Sequence, residues 1–381
     1  MGRMILEPRS ALSALSALFA LGFRPFYLLA GTYAALGVPL WALQYAGWLP
    51  GADLYWHAHE MLFGFAFAVI IGFLFTAVRN WTGRPTPSGA ALAGIAALWL
   101  AARALALVSL PAAAAAGALF ALAAAWGIGR PLVASGNRRN LFFVLLVLLL
   151  GAGGIAFQAW PRLGIAIGMD VVLFVIAVIA GRVLPMFTNN MVLGAGARRD
   201  ARLEFAALAS LPVLFALEVL EFDSAAAVAA LVAAALHGAR LALWAPQRTL
   251  RQPMLWILHL SYAWIVAHLA LRGFASLGLA PAVLATHALT VGAIGGMTLG
   301  MMTRTSRGHT GRQIAGGRAE TVIFALIQAA AVARVLAPLV LPSIYVAATL
   351  ASAVLWSAAF ALFVAAYFPI LTRARIDGQP G

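Results

Sequence analysis

Residues 57–79 read HAHEMLFGFAFAVIIGFLFTAVR, and residues 285–307 read ATHALTVGAIGGMTLGMMTRTSR. Each is a long apolar run opened by histidine, a residue that is costly in lipid and needs a reason to be there. A constant offset of 228 lays His59 on His287, Gly64 on Gly292, Gly72 on Gly300 and Arg79 on Arg307, and Thr82-Gly83-Arg84 on Thr310-Gly311-Arg312. Seven identities in the 26 residues from His59 to Arg84 exceed the roughly two that composition alone would give. Two helices of one design, each carrying a histidine at the same depth, are how a membrane protein would grip a haem from both sides.

The rest of the chain sets the class. Hydrophobic residues make up 64% of 381 and charged residues 9%, with a mean hydropathy of +0.97. These values describe an all-α polytopic membrane protein, organised as a single transmembrane domain over residues 1–381. There is no cysteine, which excludes disulfides, thiolate metal sites and iron–sulfur clusters and leaves histidine, methionine, carboxylate or backbone for any metal. All 25 basic residues are arginine. They stand singly or in pairs at helix ends rather than on one soluble face, so the net charge of +14 reports membrane topology and contact with lipid, not nucleic-acid binding.

Apolar runs long enough for about 30 Å of hydrocarbon predict about twelve spans, near 25–48, 55–78, 89–109, 112–134, 140–159, 164–189, 203–221, 225–245, 253–272, 281–303, 319–341 and 343–370. Arginines crowd alternate connections, which predicts that both termini are cytoplasmic. His57 and His59 then open the second span at its outer end. The stretch from Leu12 to Phe23, behind Arg3 and Arg9, reads as an interfacial lead-in rather than a cleaved signal. The sixth span ends in Phe187-Thr188, which can be laid on Phe75-Thr76 of the second. Equivalence of the second, sixth and tenth spans would give a pseudo-threefold set of four-helix units. In architecture alone this resembles the catalytic subunit of haem–copper oxidases and nitric oxide reductases. The chain has neither the His-Pro-Glu-Val segment nor the His-His pair that hold copper there, so that respiratory chemistry does not carry over.

The histidines divide by helical position. His57 and His59 stand about 200° apart and serve different contacts. His59 and His287 are the expected axial pair. His57 shares a face with Glu60, and the two are candidates for catalytic or proton-handling roles, His57 also for metal ligation. His237, His259 and His309, from two helices and a loop, would form an inner copper site if the loop folds back. His268 reads as packing. In the tenth span Gly292, Gly296 and Gly300 make one flank smooth, suited to a close helix neighbour or to a flat macrocycle. Arg182 and Arg304 are the candidate partners for haem propionates or another planar anion.

Taken together, Phe23-Arg24-Pro25-Phe26, His57-Ala58-His59-Glu60-Met61, Gly181-Arg182-Val183-Leu184-Pro185-Met186-Phe187-Thr188-Asn189-Asn190 and the segment from His287 to Arg312 closely resemble the NnrS family. The resemblance implies a bacterial inner-membrane protein that contains haem, expected to be b-type, and copper. It further implies nitric oxide as the small-molecule ligand, resistance to nitrosative stress and a link to denitrification. If it is an enzyme, it is an oxidoreductase acting on nitric oxide. The competing reading is a twelve-helix proton-coupled secondary transporter using Glu60 and Asp170.

Overall fold

The computed structural model describes residues 11–51 and 53–379, so Arg3 and Arg9 lie outside the described residues. After a short lead-in helix, Ala11–Leu18, the chain forms α1 (Phe23–Tyr45), α2 (Leu54–Thr82), α3 (Gly89–Leu105), α4 (Leu110–Ala134), α5 (Arg138–Ala159) and α6 (Pro161–Met191). It continues as α7 (Ala201–Val219), α8 (Asp223–Leu243), α9 (Pro253–Ser276), α10 (Ala282–Gly308), α11 (Arg318–Val340) and α12 (Pro342–Leu371). Ten of these helices are long and apolar enough to cross a membrane. The third and seventh predicted positions are where the count of twelve meets its difficulty. α3 has 17 residues, about 26 Å at 1.5 Å per residue, and α7 carries Arg202, Glu204 and Glu218.

Several charges inside these helices are paired across neighbours, which offsets the cost of burying them. Arg240 of α8 grips Glu204 of α7 through two bonds of 2.7 Å, and Arg272 of α9 holds Asp170 of α6 at 2.8 and 3.0 Å together with Glu218 of α7. Glu60 of α2 meets Arg103 of α3 at 2.7 Å, and Arg307 of α10 meets Glu320 of α11 at 3.0 Å. α3 and α7, the two least apolar candidates by length or charge, are thus each tied to the bundle by buried ion pairs.

α2, α6 and α10 converge and share one apolar gap, with Ile70, Ile179 and Met297 on its walls. Their equivalence is partial. α2 and α10 both change to π-helix just after the repeated histidine, over Glu60–Ala66 and Ala288–Gly295, whereas α6 runs as α-helix throughout. The repeat holds again at the far end. Thr82 and Thr310 each donate to the carbonyl four residues back, and Gly83 and Gly311 follow with φ of +64° and +77°, the left-handed turn that favours glycine.

The smooth flank of α10 faces α9, not a cavity. A Cβ at Gly292 would stand 2.4 Å from Trp264, one at Gly296 2.2 Å from Ser261 Oγ, and one at Gly300 2.7 Å from Leu258. Close helix contact accounts for these glycines, and clearance for a macrocycle does not.

Candidate functional site

At the end of the bundle where α2 and α10 begin lies a mostly apolar cavity of about 370 Å³, walled by α1, α2, α6, α10, α11 and α12. All three π-helical segments among the described residues border it. Glu60–Ala66 supplies Leu62 and Phe65, Ala288–Gly295 supplies Thr290 and Ile294, and Val332–Leu336 of α11 supplies Arg334. A π-bulge adds one residue to a turn and so re-aims the side chains on one side of it by about 100°, which is why such segments recur where geometry is functional.

Two imidazoles line this cavity. The His57 ring stacks on Trp41 with centroids 4.3 Å apart, and its buried Nδ1 has no hydrogen-bond partner. His287 Nδ1 donates to the Val283 carbonyl at 2.7 Å, which leaves Nε2 as the nitrogen with a free lone pair. A backbone acceptor on one nitrogen is the arrangement that fixes a ligating histidine's tautomer. Arg334 lines the same cavity, 5% exposed; its Nη2 donates to Tyr345 Oη at 2.9 Å while Nη1 is buried without an acceptor. The cavity therefore offers imidazole lone pairs and one unsatisfied cationic donor, inside apolar walls.

His287 shares this cavity with His57, and not with His59 as the repeat register suggests. Two residues apart, His57 and His59 face opposite sides of α2, and only His57 faces the cavity. Glu60, which has no counterpart in the second copy, where Ala288 stands, meets His59 Nδ1 at 2.7 Å on the side facing α3. There Arg103 and the Tyr33 hydroxyl also bond the carboxylate, and Phe63 and Phe157 flank the imidazole. Glu60 is 1% exposed and fully engaged, part of a neutralised cluster rather than of the cavity wall.

The three histidines expected to hold copper are dispersed. His237 has Nδ1 2.6 Å from Tyr262 Oη and Nε2 2.9 Å from the Ala207 carbonyl, so both nitrogens are engaged. His259 is likewise held, by the Leu255 carbonyl at 3.0 Å and Thr188 Oγ1 at 3.2 Å. His309, just past α10, packs on Phe23, and burial with Arg375 and Arg79 nearby holds its imidazole below the usual histidine range. Among the described residues no group of three or more His, Cys, Asp or Glu converges as a metal site. His268 Nδ1 bonds the Ala285 carbonyl at 2.8 Å and joins α9 to α10.

Arg182 and Arg304 line a different cavity, of about 270 Å³, at the far ends of α2, α6 and α10, with His309 beside them. Arg304 lies 17 residues beyond His287, about 25 Å along a helix. Neither arginine can anchor a group ligated by His287. The arginine that does reach the histidine cavity is Arg334, a residue the sequence reading missed although a lone guanidinium in the apolar run of residues 319–341 could have pointed to it.

These features define a polytopic helical membrane protein with a histidine-lined cavity set among π-bulged helices. The chain belongs to the NnrS family: the family model described as NnrS protein matches residues 17–375, nearly its whole length. No curated protein matches it.

Proposed function

We propose that this NnrS-family protein is a haem protein of the bacterial inner membrane that binds nitric oxide and supports resistance to nitrosative stress during denitrification. In this reading the two short helices also span, giving twelve crossings with both termini in the cytoplasm, as the arginine-rich alternate connections suggest. One observation supports the haem reading above the others: the π segments of α2, α10 and α11 surround a single cavity that holds His57, His287 and the unsatisfied Arg334 Nη1.

The residues fit the group. His57 and His287 would hold it through imidazole nitrogen, and Arg334 would offer a cationic donor to a carboxylate of the group. Bound haem would supply a site for a diatomic ligand and one-electron redox chemistry. The chain's own contribution is positional. Val283 fixes the His287 tautomer, Trp41 holds the His57 ring, Tyr345 holds Arg334, and the apolar walls exclude water. Nitric oxide is small and apolar and partitions into lipid, so a cavity between membrane helices suits its arrival. Copper finds no set of three converging donors among the described residues, so no copper step is derived.

The test is the visible spectrum of protein purified in neutral detergent, with haem and metal analysis, before and after anaerobic nitric oxide. A Soret band that shifts on addition supports the reading. Colourless, metal-free protein that accumulates a solute in vesicles overturns it in favour of a transporter.

A further inference from the structure

We propose that the cavity of Arg182, Arg304 and His309 is a binding site for an anionic amphiphile, a molecule with a carboxylate or phosphate head and an apolar tail. The argument begins with charge. Arg304 is 7% exposed, and its contacts are the Met191 thioether, with Nη1 to Sδ at 3.1 Å, and the face of Phe187, 3.6 Å from the guanidinium carbon. Sulfur is a weak acceptor and an aromatic face only a partial counter-charge. Arg182 donates to Asn140 Oδ1 at 2.6 Å and lies near the faces of Trp81, Phe142 and Phe143, at 5.6 to 6.0 Å. Neither has a carboxylate partner among the described residues, whereas Arg103, Arg240, Arg272 and Arg307 all do. No acidic residue lines the cavity. Buried Arg304 and half-buried Arg182 thus face one cavity with no anion, where an anionic partner would stabilise both.

A second, independent feature sets the shape of the ligand. The cavity adjoins the apolar gap between α2, α6 and α10, and the two share Phe73, Ile179, Val183 and Met301 as a common wall. That gap is lined almost wholly by hydrocarbon. That gap is narrow, about 60 Å³, so a head seated on Arg304 and Arg182 would place the first carbons of its tail in this seam, and the site selects for both parts at once. Arg304 would form the main contact, being the more buried and the less satisfied. The proposal is independent of the haem reading, since this site stands about 25 Å along α10 from His287.

The test measures the thermal unfolding midpoint of full-length protein in neutral detergent, titrated with sodium oleate, phosphatidylglycerol, methyl oleate or inorganic phosphate. Oleate and phosphatidylglycerol should raise the midpoint saturably, while methyl oleate and phosphate do not. R304Q should weaken apparent oleate affinity about tenfold or more, the usual consequence of losing a charged hydrogen bond, and R304K should fall between. Binding of both charged ligands assigns a bilayer lipid as the occupant, and binding of oleate alone assigns a free fatty carboxylate. Methyl oleate acting as well as oleate removes the charged half of the proposal. Phosphate acting as well as oleate removes the apolar half. An R182Q/R304Q double variant with wild-type affinity removes the site, and since the four-ligand comparison uses wild-type protein, it decides even if that variant fails to fold.

Discussion

The two ends of the α2–α10 pair are built on one repeat and carry opposite chemistry. Where the helices begin, the cavity presents imidazole lone pairs with a single arginine, and each polar side chain there is held by a neighbour. Where they finish, the cavity presents guanidinium donors with no acid, held by aromatic faces. The first suits a group that accepts electron pairs, such as a metal macrocycle, and the second suits an anion. A repeated backbone therefore does not imply repeated function. The differences enter through single residues such as Glu60 against Ala288, and through arginines donated by other helices.

The largest effect that could break this comparison concerns the histidines. His57→Ala and His287→Ala should each abolish or transform the haem spectrum, while His59→Gln should keep it. Haem retained unchanged in both cavity variants, or lost only with His59, would return the axial role to the repeat register.

A second contrast sets a paired arginine against an unpaired one. Arg103→Leu strands the buried Glu60 carboxylate and should cost about 3–5 kcal/mol of stability. Arg304→Leu strands no acid and should cost little in lipid-free detergent, as measured by denaturation in mixed micelles. Equal losses would mean that Arg304 has a structural partner after all.

Smaller effects come from packing. Gly292→Ala pushes a methyl group to within 2.4 Å of Trp264 and should cost about 1–3 kcal/mol, whereas Gly94→Ala meets nothing within 4 Å and should be neutral or slightly stabilising. A harmless Gly292→Ala would reopen the flank of α10 as a surface for a ligand.

The smallest effect lies at the arginine end, where the tail closes over the turn after α10. Ile376 N–H donates to the Thr310 carbonyl at 3.2 Å and Arg375 to the His309 carbonyl at 3.1 Å. The Arg375 guanidinium holds the Asp377 carboxyl down to about 2 from an ordinary 3.8. A depressed carboxylate stabilises the fold above its unfolded value and loses that contribution as pH falls through the folded one. Hydrogen exchange at the Ile376 amide should therefore be slower in wild type than in Asp377→Asn at pH 5, with the difference vanishing between pH 4 and 2. A difference that does not change with pH would show that the ion pair is not what holds the tail.

Much of the fold was readable because it depends on local chemistry. An apolar run of some twenty residues must be helical in lipid, since every backbone polar group has to be satisfied within the segment. The positions of the ten long helices, the opposite facing of His57 and His59, and the repeat between α2 and α10 follow from runs and spacing. α3 and α7 were harder, because their place in the bundle depends on ion pairs to residues as distant as Arg103 to Glu60 and Arg240 to Glu204. The arginine end was half legible. Arg182 and Arg304 do share a cavity, but at the opposite end from the histidines whose haem they were expected to serve, and His309 joins them there rather than His237 and His259.

The sequence by itself determined the class, the approximate positions of the long helices, the exclusion of thiolate chemistry and the repeat between two helices. Only the tertiary structure decided which histidine faces which, that Arg334 lines one cavity with His57 and His287, and that the α10 glycines belong to α9. The physical reason is that helical register specifies a side chain's direction about its own axis, while the neighbour it meets depends on how the axes pack. Three π-bulges reset that register at the cavity, and pairing of buried charge settles the competition. Glu60 meets His59 and Arg103 on the α3 side, while His57 faces the cavity.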